Sequence, residues 1–323
     1  MKFLLTIIQA VGLGCASAAA GRRVLHYLQL ESYQLPGYVK SVRRNAMRAL
    51  IPPIAMAAVG VAALRLSGLT GLALLLEALT AALLVWQAAK EKAKKPFVAT
   101  ERVKRLLAVH VAVNTVLALA LLTVSPVLGY LMPAFEPALL MLAALIAAPM
   151  EKHIAGQFVK DAQARLAAQP GLIKIGITGS YGKTSTKFLL RDILSVKYNV
   201  LATPSSFNTP MGVTRVIREQ LTPAHQVFIA EMGARHVGDI RELVELVHPQ
   251  MGLITSVGPQ HLDTFGTVER VRNTKYELIE GLPKDGTAVF ARDGAICEAL
   301  FERCPLERKY KPGMLVDAKN VAC

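Results

Sequence analysis

Five long apolar stretches fill the first 150 residues, and short apolar runs alternating with amphipathic ones fill the rest. Phe3–Ala20 carries no charge over 18 residues and Ala49–Leu64 none over 16. Leu66–Ala89 is apolar except for Glu77, Leu106–Val124 is apolar with His110 and Asn114, and Leu131–Met150 is apolar except for Glu136. About 20 apolar residues cross a bilayer as a helix, so the pattern predicts five spans. The second is short, with Pro52-Pro53 marking or kinking its start. Glu77 and Glu136 face either the bundle interior or an interface. His110 and Asn114, four residues apart, share one helix face and suggest a helix–helix hydrogen bond.

After Met150 the period changes. Strands are predicted at 172–178, 199–202, 226–232, 252–257 and 287–291, and helices at 186–194, 211–218, 239–247, 267–279 and 294–303. Such alternation implies a parallel sheet covered on both faces, with ligands at the carboxyl ends of its strands. The expected fold is therefore an α-helical transmembrane region followed by an α/β domain: a P-loop parallel sheet with helices on both faces. Its parts are a transmembrane region at 1–150, a linker at 151–171 and a nucleotide-binding domain at 172–323.

Charge sharpens the membrane reading. Of the formal net charge of +14, +10 belongs to residues 1–150 and +4 to the remainder. The cations of the first half gather in 21–48 (Arg22, Arg23, Lys40, Arg43, Arg44, Arg48) and 90–105 (Lys90, Lys92, Lys94, Lys95, Arg102, Lys104, Arg105), while the other two connections carry almost none. Basic and neutral loops alternate as the positive-inside rule requires, which places the N-terminus outside and 151–323 in the cytosol of a multi-pass membrane protein. A rival for Phe3–Ala20 is a signal peptide, since Ala16-Ser17-Ala18 resembles a cleavage site. The globular half carries no basic patch, which excludes a nucleic-acid partner. The lipid bilayer is the expected one. Cys15, Cys297, Cys304 and Cys323 form no C-x-x-C pair and read as inert thiols.

The chemistry is concentrated in Gly176–Ser185, GITGSYGKTS, between a predicted strand and a predicted helix. Strand, glycine-rich turn, Lys-Thr and helix make a phosphate-binding loop, with Gly179, Ser180, Gly182, Lys183, Thr184 and Ser185 around the phosphates. Backbone N–H groups cradle them, Lys183 reaches the terminal oxygens and the Thr184 hydroxyl meets Mg²⁺. Glu231 ends an apolar strand and suits a second Mg²⁺ ligand. His261 and Asp263 follow the next strand, where ligation of metal or substrate competes with a structural role, and a lone histidine by itself favours the structural one. Spacing alone makes Lys275 a solvated lysine. Asn208 and Thr209 lie in a polar loop after the second strand.

Four motifs in order, GITGSYGKTSTK, SSFNTPMGV, EMGARHVGDI and ITSVGPQHLDTFGTVERVRNTKYELI, resemble the central ATPase domain of the Mur ligases, the ATP-dependent amide-forming enzymes of peptidoglycan assembly. Within that family the likeness is greatest to the D-alanyl-D-alanine-adding branch. The resemblance runs from about Leu172 towards the chain end. It implies ATP and two Mg²⁺ ions as cofactors, with Lys183 on the β/γ phosphates and Thr184, Glu231 and His261 as metal ligands. It makes Lys275 the lysine carried as a carbamate, and places Asn208 and Thr209 beside the acceptor carboxylate. The implied partners are a cell-wall precursor and an amino acid or dipeptide, and the implied setting is a bacterial cell membrane. The sequence departs from the family at Tyr181, where asparagine is usual, and at Ala291-Arg292-Asp293, where an asparagine precedes the acid. The family's C-terminal domain is not present before Cys323, so the expectation is a truncated or fragmentary ligase. The alternative is a membrane-tethered nucleotide-binding module or scaffold without self-contained activity.

Overall fold

The computed structural model describes residues 2–91, 96–205, 207–292 and 294–311. Lys92, Lys94, Lys95, Asp293 and Cys323, which entered the sequence reading, lie outside the described residues. The chain divides into two compact units, Met1–His153 and Ile154–Cys323.

The first unit is helical. Its helices are α1 (Lys2–Ala20), α2 (Arg22–Leu30), α3 (Leu35–Arg44), α4 (Ala46–Ser67), α5 (Thr70–Lys90), α6 (Glu101–Val124), α7 (Pro126–Leu131) and the start of α8 (Glu136–Ala167). Among the described residues, five helical segments are long and apolar enough to cross a membrane. They contain four of the five predicted runs whole, while Leu66–Ala89 begins at the end of α4 and passes through Gly68-Leu69 before entering α5, with two further differences in detail. Pro52 and Pro53 lie inside α4 rather than at its start. The fifth segment is not a single rod from Leu131, because α7 and a 3₁₀ turn at Met132–Phe135 precede α8.

The basic stretch 21–48 is no open loop. It folds into α2 and α3 because Val24, Leu25 and Leu28 recur at helical spacing and are buried with Tyr38, Leu106 and Leu140. Charge drew attention away from that apolar stripe.

Small residues let the helices approach closely. An added Cβ at Gly14 of α1 would stand 2.8 Å from the Thr115 backbone of α6. Helices α1 and α5 run side by side in one direction, since Gln9 Nε2 donates to Thr70 Oγ1 (2.6 Å) and Arg22 Nη1 to the Val85 carbonyl (3.0 Å).

Glu77 and Glu136 are both fully buried in this unit, which settles the interior-or-interface alternative for the interior. Glu136 accepts from Ser17 Oγ (2.7 Å) and lies 2.7 Å from His110 Nε2. His110 thus makes the interhelical contact, while Asn114 Nδ2 bonds back to the His110 carbonyl at 3.0 Å. Glu77 lies against Gly60, and its two oxygens have no hydrogen-bond partner among the described residues.

Residues 151–167, within the predicted linker, are helical as part of α8. The physical reason is burial, because Ala162 and Leu166, one turn apart, pack into the core of the second unit.

That second unit contains β1 (Ile173–Thr178), α9 (Lys183–Leu194), β2 (Val200–Ala202), α10 (Pro210–Gln220), β3 (Val227–Glu231), α11 (Asp239–Val247), β4 (Met251–Ile254), α12 (Leu262–Phe265), α13 (Val268–Glu280), β5 (Thr287–Phe290), α14 (Gly294–Arg303) and β6 (Arg308–Tyr310). Among the described residues the strands form one six-stranded parallel sheet in the order β2-β3-β1-β4-β5-β6. Side chains alternate across it. Phe228 and Ala230 join the core built with α10, α11, α13 and α14, whereas Ile175, Ile177, Val227 and Ile229 face Leu190 and Leu194 of α9. Each expected strand and helix of this unit is present within a few residues. Short β6 and the single-turn α12 carry too few apolar positions to show a period.

The topology positions the site. Strand β1 is central, β3 and β4 flank it, and the chain crosses over β1 between them, so a crevice opens at their carboxyl ends.

Candidate nucleotide and metal site

The loop after β1 is held by the end of β4. Ser180 N donates to the Ser256 carbonyl (2.8 Å), Tyr181 N to Ser256 Oγ (2.9 Å) and Thr255 Oγ1 to the Tyr181 carbonyl (2.6 Å). Gly179 has φ +149°, and a Cβ there would collide with Thr255. Only glycine suits this position. Gly182, left-handed at φ +79°, turns the chain into α9, which opens with Lys183 and Thr184. The first turn of α9 therefore presents unpaired backbone N–H groups toward the crevice, with the helix dipole favouring an anion. Ser180 is buried and exchanges hydrogen bonds of 3.0 Å with Gly258 N and O, so its hydroxyl shapes the loop. Ser185 is exposed on the first turn. Tyr181 is exposed, and its hydroxyl donates to the Pro259 carbonyl at 3.2 Å.

Lys183 Nζ donates to the Gly179 carbonyl at 2.7 Å. Its pKa is lowered by burial, partly offset by the Glu231 charge.

Glu231 is the hub of the site. It is 1% exposed, and its Oε2 accepts from Thr184 Oγ1 (2.9 Å) and Lys187 Nζ (2.9 Å), while Oε1 accepts from Asn208 Nδ2 (3.0 Å). Burial alone would raise its pKa, but the bonds from Lys187, Asn208 and Thr184 outweigh it and hold the carboxyl below its ordinary value. Thr184 and Glu231 thus supply adjacent hard oxygen donors of the kind Mg²⁺ takes together with nucleotide phosphates.

Lys187 was missed by the sequence reading. It is fully buried, bonds Glu231 and also donates to the Ser205 carbonyl at 2.5 Å. The signal was its place four residues after Lys183, on the same face of α9. Asn208 is fixed from both sides, since its carbonyl accepts from Gly233 N at 2.8 Å. The Thr209 hydroxyl accepts from Gly212 N (3.3 Å) and caps α10, with Pro210 in the first turn.

His261 and Lys275 stand apart from the hydrogen-bonded set. His261 is exposed at the start of α12 with φ +51°. Its pKa is lowered by burial and by the positive charges of Arg235, Lys275 and Lys183. Lys275 is 1% exposed on α13, so it is not the solvated lysine that spacing suggested. No hydrogen bond or ion pair to it is found among the described residues. Its pKa is lowered to about 8, by burial first and then by the Lys183 charge, against Asp239 and Glu277. Those two acids are engaged elsewhere: Asp239 Oδ2 accepts from Arg235 N and His236 N (2.7 and 2.8 Å), and Glu277 from Gly238 N and Arg241 N (3.0 and 2.9 Å).

Residues 177–312 match the Mur ligase middle domain. The UDP-N-acetylmuramoyl-tripeptide–D-alanyl-D-alanine ligase of Mycobacterium tuberculosis H37Rv is 40% identical over 130 residues, covering 40% of this chain and 25% of that protein. The enzyme of the same name from Escherichia coli K12 is 31% identical over 158 residues, covering 47% of this chain and 35% of its own length. The chain thus spans about a quarter to a third of these relatives. Among solved structures, MurF from Acinetobacter baumannii is 27% identical with a TM-score of 0.45, covering 49% of this chain and 34% of that one.

Proposed function

We propose that residues 172–323 form a Mur-type ATP-binding domain serving amide-bond formation, and that residues 1–150 anchor it in a bacterial cell membrane with 151–323 on the cytosolic side. The observation that carries this reading is the Thr184–Glu231–Asn208 hydrogen-bonded set at the mouth of the phosphate loop, inside the segment that matches the Mur ligase middle domain.

In this reading a substrate carboxylate oxygen attacks the γ-phosphorus of ATP, the bond to the β-phosphate oxygen breaks, and an acyl phosphate and ADP result. An incoming amine then attacks the acyl carbon, loses a proton, and phosphate leaves. Lys183 and the N–H groups of Gly182–Ser185 bind the phosphates and neutralise charge that would repel the incoming carboxylate. Thr184 and Glu231, with His261 toward a second position, would hold Mg²⁺, which supplies charge neutralisation on the phosphoryl oxygens. Asn208, with Thr209, orients the acceptor carboxylate. Lys275 holds a carbamate: its neutral amine adds CO₂, an N–C bond forms and a proton is released. By the names of the relatives, the acceptor is a cell-wall muropeptide and the incoming group an amino acid or dipeptide.

The test is Mg²⁺-dependent ADP binding to the full chain in detergent, measured by calorimetry, with Lys183→Ala and Thr184→Ala as variants. Binding that both variants abolish supports the reading. Absence of nucleotide binding by the parent sinks it. Trapping the acyl phosphate with hydroxylamine, using a muropeptide carboxylate and ATP, then tests the ligase step itself.

A further inference from the structure

The helical unit contains a cavity of about 190 Å³ lined by Arg22, Arg23, His26, Glu91 and Phe97, with Ala88, Ala89 and Pro96 completing its wall. Its place in the fold is set by α1 and α5, which run in the same direction. Arg22 follows the end of α1, and Ala88 and Ala89 close the end of α5, so the cavity lies where two long apolar helices stop together. The chain marks this level with an interfacial signature: Lys90 Nζ sits 3.6 Å from the Trp86 ring centroid, an ammonium and an indole at the end of an apolar helix.

The basic groups are held in place by packing. Arg22 lies 5.3 Å from the Phe97 ring centroid, His26 meets that ring edge-on at 5.8 Å, and Arg22 spends one N–H on the Val85 carbonyl. A guanidinium has five N–H donors, and no other hydrogen bond of Arg22 is found among the described residues. Arg23 is turned to Glu91 (2.5 Å) and the Arg48 carbonyl (3.1 Å). The wall at 96–98 is pinned by Gln29, whose amide donates to the Val98 carbonyl (2.7 Å) and accepts from Val98 N (3.3 Å). Two guanidinium groups, an imidazole and one carboxylate thus line the recess, with the carboxylate paired to Arg23.

We propose that this cavity binds the phosphate headgroup of a membrane lipid, a phosphomonoester or diphosphate. Phosphate is the group that matches a guanidinium fork with unspent donors. The volume holds one or two phosphate groups and is generous for a lone carboxylate. Glu91 sets the selectivity: it is neutralised by Arg23, which leaves Arg22 as the binding charge and disfavours anions that cannot use its fork. The site lies in the membrane unit and is distinct from the phosphate loop. The inference rests on the membrane-spanning reading above.

The experiment uses the full chain in nanodiscs and has two readouts. Trp86 is the only tryptophan and is 55% exposed, so its fluorescence reports contact with brominated acyl chains. Headgroup binding is read by native mass spectrometry, as lipid retained after extraction from mixed phosphatidylcholine and phosphatidic acid. The expected result is Trp86 quenching together with phosphatidic acid retained at least about tenfold over phosphatidylcholine. Arg22→Gln should lose the preference, Arg22→Lys should weaken it while keeping charge and packing, and Arg65→Gln, on α4, should leave it intact. Quenching without headgroup preference, or a preference unchanged in both Arg22 variants, overturns the inference and leaves the spanning reading standing. Absence of quenching overturns both. Displacement by free inorganic diphosphate at equal concentration overturns the lipid as the source.

Discussion

Each of the two units buries a bonded carboxylate and also an ionisable group with no hydrogen-bond partner among the described residues. In the helical unit Glu136 has Ser17 and His110, while Glu77, lying against Gly60, has no hydrogen-bond partner among the described residues. In the α/β unit Glu231 has Thr184, Lys187 and Asn208, while Lys275 has no hydrogen bond among the described residues. The bonded groups hold elements together, because a buried charge is stable only when paired and hydrogen-bonded. The lone groups lower the stability of the fold, so they belong where something else must bind or react. For Lys275 that is the CO₂ adduct proposed above. For Glu77 the described residues offer no hydrogen-bond partner to offset its burial.

The comparison can be broken most forcefully at Glu231. Glu231→Ala strands the buried Lys187 ammonium, so it should cost about 3–5 kcal/mol, read as a lower unfolding midpoint, besides abolishing Mg²⁺-dependent nucleotide binding. Lys187→Met on that background should recover much of the loss. The cost to the fold comes from Lys187, which the sequence did not single out.

Lys275→Met is the converse. In the fold the amine's pKa is about 8, against 10.5 for an ordinary lysine. Below pH 8 both folded and unfolded chains are protonated and the fold carries the full penalty. Between about 8 and 10.5 the unfolded chain holds more protons, so that penalty fades as pH rises. The variant should therefore be more stable than the parent at pH 7 by up to about 3 kcal/mol, with the gap closing across that window in urea titrations. A constant gap refutes the charge explanation. The same neutral fraction sets carbamate formation, so ¹³CO₂ uptake at Lys275 should rise as pH passes through about 8.

Packing comes next. Gly14→Val puts side-chain atoms into the Thr115 backbone and should cost about 1–3 kcal/mol in detergent unfolding. Ser17→Ala removes one of Glu136's two partners and should cost about 1 kcal/mol. If Ser17→Ala proves as damaging as Glu231→Ala, the likeness between the two bonded carboxylates is closer than their surroundings suggest.

Much of this was legible in the sequence, for reasons particular to each part. The strands of the α/β unit are short apolar runs bounded by turn residues, and Lys183, Thr184 and Glu231 sit where strand ends must deliver them. Apolar length was enough to find α1, α4, α5 and α6. Burial was not legible. Spacing made Lys275 a surface residue, and only the family resemblance raised it. Lys187 carried no motif weight, since nothing local says that a helical lysine faces a strand-end carboxylate across the core. The helices α2 and α3 were hidden by their own arginines. The Thr209 hydroxyl, read as a substrate contact, also accepts from Gly212 N and caps α10, a role that the following Pro210 announced.

The ammonium of Lys187 on Glu231 has a consequence for how the protein is made. Zinc fingers and similar small domains cannot fold until their metal arrives, because the free energy of metal binding is the free energy that folds them. Here the chain brings its own counter-ion to the carboxylate. Folding of the α/β unit should therefore need no divalent ion to satisfy Glu231, and chelators should leave its unfolding midpoint unchanged.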